Sequence, residues 1–585
     1  MRRRFGLFAF GWLLVLAGAG LAHLVQTAGG VEVRDVRWTG ASGERLSALL
    51  YAPRTATTAH PAPAVLVSHG YINTREMQSP FAIELARRGF VVLAMDMAGH
   101  GYSGGAVGQY DGGGPDALAY LQSLPFVDHR EIGLEGHSMG GVPVVGAAIA
   151  QPDGYRAMVL EGSTTPELGQ VGAGTTRFPR NLELVFGQYD EFAPLMWHEP
   201  KGSQVGASAK MRALFGTAGA VTPGAPAGSI AEGDARLLLN PPITHPMEHF
   251  TAAGVGAAVD WFQRTLVGEA SPRPPGDQIW MWKEVGTLTA LVGFVAVVLG
   301  AFEALLPAPI FAGLRAEADV NRPERRGRLG WWLAFVLTAA VPALTFYPLM
   351  GFGFAFLPSR LFPEWVANQL AVWVLINAAI SGALLVVTGR RKVAFRERWG
   401  PAVLIAVLSA AAGYAALLAA DALFKADFRF WVVGLRLLEG RHWLYALAYL
   451  PLFTVAFLVT MRALQANLAA PRYAAAMLAM SLGFIALLTA QYASLFATGQ
   501  LIDPGEALNT IIAIQFVPIL AVVGLIGTFT ARRTGGTVAG AVLCAILVTW
   551  YIVAGTATHW RPGWTIPHGA GLYPARPASP VPAAP

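Results

Sequence analysis

Between residues 285 and 558 the sequence runs through eight apolar stretches, near 285–306, 331–351, 367–388, 401–424, 443–463, 474–497, 508–530 and 537–558. This feature restricts the fold more than any other. About 20 apolar residues in a helix span a hydrocarbon core of about 30 Å, and in lipid a helix satisfies every backbone polar group within the segment. The composition agrees: 13% of residues are charged, against about 25% in globular proteins, and the mean hydropathy is +0.46. Disorder is excluded, because 54% of positions are hydrophobic and there are 31 Phe and 16 Trp. The net charge of +6 is read as basic cytoplasmic loops and not as a nucleic-acid surface. The lone cysteine, Cys544, rules out an intramolecular disulfide framework, a multi-Cys zinc site and a CxxC redox centre.

A ninth stretch, Phe5 to Val25, follows Arg2, Arg3 and Arg4 and reads as a signal anchor. Its alternative is a cleaved signal peptide, for which Ala17 and Ala19 supply an A-x-A pattern. With Arg2 to Arg4 in the cytoplasm, the loops expected inside carry Arg315, Arg322, Arg325, Arg326 and Arg328, then Arg390, Arg391, Lys392, Arg396 and Arg398, then Arg472, then Arg532 and Arg533. The loop 498–507, expected outside, has Asp503 and Glu506 and no cation. One outside loop, 425–442, fits poorly because it holds Lys425, Arg429, Arg436 and Arg441, and it is expected to lie as an amphipathic segment on the membrane surface. The expected organisation is therefore an anchor (1–28), an extracytoplasmic domain (30–270), a linker (271–284), an all-α bundle of eight transmembrane helices (285–558) and a Pro/Ala-rich tail (559–585).

Residues 30–270 alternate short apolar runs with helical patterns. The runs are Ala64–Ser68, Phe90–Met95, Ile132–Leu134, Ala157–Leu160, Leu182–Phe186 and Leu237–Leu239, and a last helix runs from Thr251 to Leu266. Repeated strand and helix predict a mostly parallel sheet covered on both faces, with chemistry on the loops beyond the strand ends. After Ile132 comes Gly136-His137-Ser138-Met139-Gly140, a G-x-S-x-G between a strand and a helix. A serine needs a base, and the base needs an acid to orient it. Asp190, just past the strand at Leu182, is the expected acid, with Glu161 as runner-up. His245 is the expected base and His249 the alternative. The oxyanion donors are assigned to the N–H groups of Met139 and Tyr71. Glu191 to Gly233 reads as a lid or as a plain insertion.

Ser68-His69-Gly70-Tyr71, the Asp96-to-Ser103 turn, Gly136 to Gly140, Asp190 and the terminal histidine segment together resemble the α/β-hydrolase superfamily over residues 31–268. The resemblance is to its serine esterase, dienelactone-hydrolase-like or peptidase-like branches. It implies the α/β-hydrolase fold, structural roles for Asp96 and His100, and hydrolysis of an acyl bond without metal or organic cofactor. The expectation is a membrane-integrated serine hydrolase acting on a small-molecule or lipid ester, in contact with membrane lipids and not nucleic acid. Its alternatives are a transporter or lipid-handling protein with a non-catalytic hydrolase-like domain, and an acyltransferase. Oligomeric state is left open.

Overall fold

The computed structural model describes residues 6–165, 174–266, 273–315, 327–395, 397–469, 471–556 and 558–563. Arg2 to Arg4, Arg322, Arg325, Arg326, Arg396, the linker residues Ser271 and Pro272, and the tail from Gly569 lie outside the described residues. The chain divides into two units, one of residues 1–24, 282–493 and 505–556, the other of residues 25–281, 494–504 and 557–585.

The first unit is helical. It begins with α1 (Gly6–Gln26), and the intervening residues belong to the second unit.

The second unit is built on an eight-stranded sheet. In chain order its elements are β1 (Val31–Thr39), β2 (Arg45–Pro53), β3 (Ala62–Ser68), α2 (Ser79–Ala86), β4 (Val91–Asp96), α3 (Gly114–Gln122), β5 (Val127–His137), α4 (Gly141–Ala150) and β6 (Ala157–Glu161). There follow β7 (Leu182–Val185), α5 (Ala193–Trp197), α6 (Ala209–Phe215), β8 (Arg236–Leu239) and α7 (Ala252–Thr265). The strand order is β1-β2-β4-β3-β5-β6-β7-β8, parallel from β4 to β8, with β2 antiparallel to both of its neighbours. Helices α2 and α7 touch each other, as do α3 and α4. Thr251 caps α7 by accepting the Gly254 N–H at 3.2 Å. The expected parallel series is present, and the hairpin β1–β2 extends it at one edge.

One face of this sheet carries an unusual load of acid. Register places Glu135 beside Val159 and Val159 beside Glu183, and places His137 beside Glu161. Side chains two residues apart share a face, so Glu135, His137, Glu161 and Glu183 all point the same way. That face lies under α7, since Gly133, on the same side of β5, faces the Phe262 ring. All three glutamates are buried, and neither Glu161 nor Glu183 finds a hydrogen bond for its oxygens among the described residues. Burial pushes all three carboxyls well above the usual range, so each is held in its neutral form.

The segment 191–233 is folded. It contains α5 and α6, and Trp197, Val205, Met211 and Leu214 are buried. The Ser208 side chain caps α6 by accepting the Met211 N–H at 3.0 Å.

The helical unit continues with α8 (Trp280–Leu305), α9 (Arg328–Leu344), α10 (Phe346–Gly353), α11 (Trp365–Val387), α12 (Trp399–Phe424), β9 (Phe428–Phe430), β10 (Val433–Leu435), α13 (Arg441–Asn467), α14 (Tyr473–Thr498), α15 (Ala507–Thr534) and α16 (Val538–Thr556). Among the described residues nine helical segments, with α9 and α10 counted together, are long and apolar enough to cross a membrane. Helix α1 lies against α8 through glycines seven residues apart. A Cβ on Gly286 would stand 2.6 Å from the Gly18 carbonyl, and one on Gly293 would stand 2.8 Å from the Gly11 carbonyl. These contacts run in opposite directions along the two helices, which are therefore antiparallel, and small residues let the backbones approach.

Within the segment 425–442, β9 and β10 form an antiparallel hairpin, and Arg429 in β9 and Arg436 just after β10 are buried. Arg429 Nε is 2.8 Å from Asp427 Oδ2, and Trp431 N–H donates to Glu284 Oε2 at 3.2 Å. A cation turned inward onto a carboxylate, as Arg429 is onto Asp427, no longer acts as a free surface charge.

A proton held on Glu183 at neutral pH costs stability, because the unfolded chain releases it near 4.5. The folded pKa is raised, so the cost is absent below 4.5 and grows as pH rises toward the folded value, by about 1.4 kcal/mol per pH unit. Glu183→Met should therefore raise the melting temperature at pH 8 more than at pH 5, as read by thermal unfolding across that range.

Candidate active site

The site grows from the end of β5. The strand closes at His137, and Ser138 adopts φ +55° at the start of a single tight turn leading into α4. A left-handed conformation at a side-chain-bearing residue is strained and throws that side chain clear of the strand end. Two close approaches keep the bend narrow. A Cβ on Gly136 would lie 2.5 Å from the Gly140 carbonyl, and one on Gly70 would lie 2.9 Å from the Ser138 Cβ. Gly70 thus lets the loop after β3 press against the serine, and Tyr71 follows it directly. Ser163, after β6, ties the bend from the other side, its hydroxyl donating to the Ser138 carbonyl at 2.6 Å.

The loops after β7 and β8 are laced together before they reach the serine. Gln188 N–H donates to the Pro241 carbonyl at 2.8 Å and Tyr189 N–H to the Ile243 carbonyl at 3.1 Å. The Asn240 amide spans from the Phe186 carbonyl at 2.5 Å to the Gly202 carbonyl at 3.2 Å. This lacing brings Asp190 and His245 together: His245 Nδ1 is 2.8 Å from Asp190 Oδ2, and its Nε2 is 2.9 Å from Ser138 Oγ. The other Asp190 oxygen accepts the Phe192 N–H at 2.7 Å, and the Phe192 ring stands edge-on to the imidazole with centroids 4.6 Å apart. With Nδ1–H donating to Asp190, Nε2 is free to accept from the serine hydroxyl.

Burial pushes the His245 pKa down, but the charge and hydrogen bond of Asp190, and the charge of Glu191, outweigh it, so the net direction is up. Glu191 accepts the His245 backbone N–H at 2.8 Å, and burial together with the Asp190 charge raises its own carboxyl to about 7. Beneath the imidazole, Glu248 Oε1 accepts the Gly187 N–H at 2.7 Å, while burial and Asp190 hold this carboxyl well above its usual range. His137 is pushed well below its ordinary value by burial and then by its histidine neighbours.

Ser138, His245 and Asp190 are thus brought into one hydrogen-bonded chain, with Met139 and Tyr71 adjoining the serine. His249 stands elsewhere: its Nδ1 faces His137 Nε2 at 3.3 Å. Glu161 lies in β6 with no hydrogen bond to the imidazole. Asp96 organises its own turn, accepting from the backbone N–H groups of Arg75 at 2.9 Å and Tyr102 at 3.1 Å. Glu191, Glu248 and Ser163 were not singled out from sequence as parts of the site; adjacency to Asp190 and to His245 was the available signal for the first two. Among the described residues one trio, His137, His245 and Glu248, could hold a metal ion, with ligating atoms within 4.8 Å of one another. Both His245 nitrogens are already engaged by Asp190 and Ser138, so a metal there would remove the serine's proton acceptor.

Residues 59–196 match the family model described as serine aminopeptidase, S33. That segment has the α/β-hydrolase fold. Similar solved structures include a hypothetical protein of Pseudomonas aeruginosa (18% identity, TM-score 0.30), which aligns over 41% of this chain and 95% of its own. A Pyrococcus furiosus esterase (16% identity, TM-score 0.30) aligns over 41% of this chain and 92% of its own. An epoxide hydrolase from Mycobacterium thermoresistibile (21% identity, TM-score 0.19) aligns over 23% and 40%. No curated protein matches the chain.

Replacing His245 by Ala should abolish turnover, whereas His249→Ala should keep it within about ten-fold, as measured by steady-state ester hydrolysis. Asp190→Asn should lower kcat by about 10⁴-fold through the wrong imidazole tautomer. With His245 as the proposed base, the wild-type rate should rise with pH through a midpoint above 6.5, because its pKa is raised from that value.

Proposed function

We propose that this α/β hydrolase is a serine hydrolase that cleaves an acyl ester through a Ser138–His245–Asp190 triad. The observation that carries the reading is the continuous chain from Ser138 Oγ through His245 to Asp190 Oδ2, at 2.9 and 2.8 Å, with the serine at φ +55°. Ser138 Oγ attacks the carbonyl carbon while His245 Nε2 takes its proton. Asp190 stabilises the imidazolium, and the N–H groups of Met139 and Tyr71 receive the oxyanion. The imidazolium then protonates the leaving alcohol, and a water activated by the same base releases the acyl group. An ester asks less of the general acid than an amide does, because an alkoxide departs more readily than an amide anion. The amide remains the second substrate class to assay, given the aminopeptidase description of the matching family.

The same reading places the enzyme in a membrane, with α1 as an uncleaved anchor, its N-terminus in the cytoplasm and the hydrolase unit outside. The antiparallel glycine seam between α1 and α8 supports retention of α1, and the alternation of cationic loops supports the orientation.

A fluorophosphonate probe should label the wild-type protein and leave Ser138→Ala unlabelled. Equal labelling, or none in either, would refute the serine-hydrolase reading and leave a hydrolase-like domain that binds or gates. In a Cys544→Ala background, Ser123→Cys should react with a membrane-impermeant maleimide in intact cells, and protection of that thiol until lysis would reverse the proposed orientation.

A further inference from the structure

Thr558 to Gly563 follow the last apolar helix in sequence, yet they belong to the hydrolase unit. Their backbone is joined to the turn that follows β4. His559 N–H donates to the Gly99 carbonyl at 2.7 Å, Val107 N–H donates to the His559 carbonyl at 2.8 Å, and Thr558 forms an antiparallel bridge with His100. Thr558, His559 and Trp560 are 0, 2 and 4% exposed, so the first half of this strap is buried, while Arg561 to Gly563 are exposed.

The strap meets the site at Tyr71. The Trp560 indole stands edge-on to the Tyr71 ring, with centroids 6.1 Å apart and planes at 74°. His100 meets the same ring at 6.0 Å and 81°. Burial raises the pKa of the Tyr71 phenol. The loop that carries Tyr71 holds two backbone positions of note. Gly70 before it lacks a side chain, and Ile72 after it is in the left-handed region at φ +56°. A ring gripped by aromatic neighbours is therefore the means at hand to fix the orientation of that peptide.

We infer that the strap is a clamp on the oxyanion loop, and that Trp560 is a positioning residue which holds the Tyr71 backbone N–H where the oxyanion forms. This rests on the reading of Tyr71 as an oxyanion donor in a serine hydrolase. A donor of this kind acts on charge that exists only in the transition state, so loosening it lowers kcat and leaves substrate binding nearly unchanged.

The test uses the full-length protein in detergent micelles and a short p-nitrophenyl ester. Trp560→Phe keeps a flat ring, Trp560→Leu keeps bulk without one, and Trp560→Ala removes both. The expected result is kcat falling in the order wild type, Phe, Leu, Ala, by about ten-fold or more for Ala, with KM within about two-fold throughout. Arg561→Ala, at the exposed neighbouring position, should match the wild type. Should Trp560→Ala not fold, the Phe and Leu variants decide the matter by themselves. Equal kcat in the Phe and Leu variants, or a change confined to KM, would overturn the clamp while leaving the triad intact. Absence of Ser138-dependent turnover in the wild type would instead overturn the serine-hydrolase reading on which the clamp rests.

Discussion

The structure of the site depends on holding Ser138 in a conformation that its own backbone disfavours. A left-handed residue with a side chain costs of order 1–3 kcal/mol and persists only where its surroundings over-determine it. Here the restraints come from three directions. The strand β5 fixes the residue before it, α4 fixes the residues after it, and the Ser163 hydroxyl holds its carbonyl. The glycines at 70 and 136 give those neighbours the space to close in. The hydroxyl of a serine so placed lies 2.9 Å from His245 Nε2.

The polar network below the imidazole raises a different problem. Five carboxyls, Glu135, Glu161, Glu183, Glu191 and Glu248, are buried in the sheet core and at the site, and all are shifted upward. Were they all ionised together, their fields would favour a charged His245. Desolvation raises all five, Glu191 to about 7 and the others well above the usual range, and Asp190 is the acid in direct hydrogen-bond contact with the ring. The apolar surroundings therefore do electrostatic sorting, and a fold built for stability alone would have placed hydrocarbon at Glu183.

Much of this was legible in the sequence because the signals are local. An apolar run of about 20 residues or a G-x-S-x-G after a strand needs no knowledge of distant contacts. The choice between His245 and His249 was harder, since they are four residues apart and both buried; the two-turn 3-10 helix His245–Phe250 sends them to different partners. The hairpin β1–β2 was missed because it is joined to no helix, and the strand series was read from runs that alternate with helices. The inward turn of Arg429 could not be read at all. Its pairing with Asp427 offsets one of the four cations of that loop, and nothing in the order of residues says which way a side chain faces.

The antiparallel pairing of α1 with α8 bears on how such a chain can be assembled. Adjacent helices that run in opposite directions release and recover the chain at the same end, and the hydrolase sequence lies between them. A domain inserted in this way must begin and end at nearby points, as compact domains commonly do. Its linking residues are fixed and not loose: Glu84 of α2 accepts the backbone N–H groups of Ile279 and Trp280 at 2.7 and 3.0 Å, and also pairs with Arg87 and Arg88 at 2.8 Å. A buried carboxylate that satisfies two N–H groups at the start of α8 favours that helix start as well as the fold of α2.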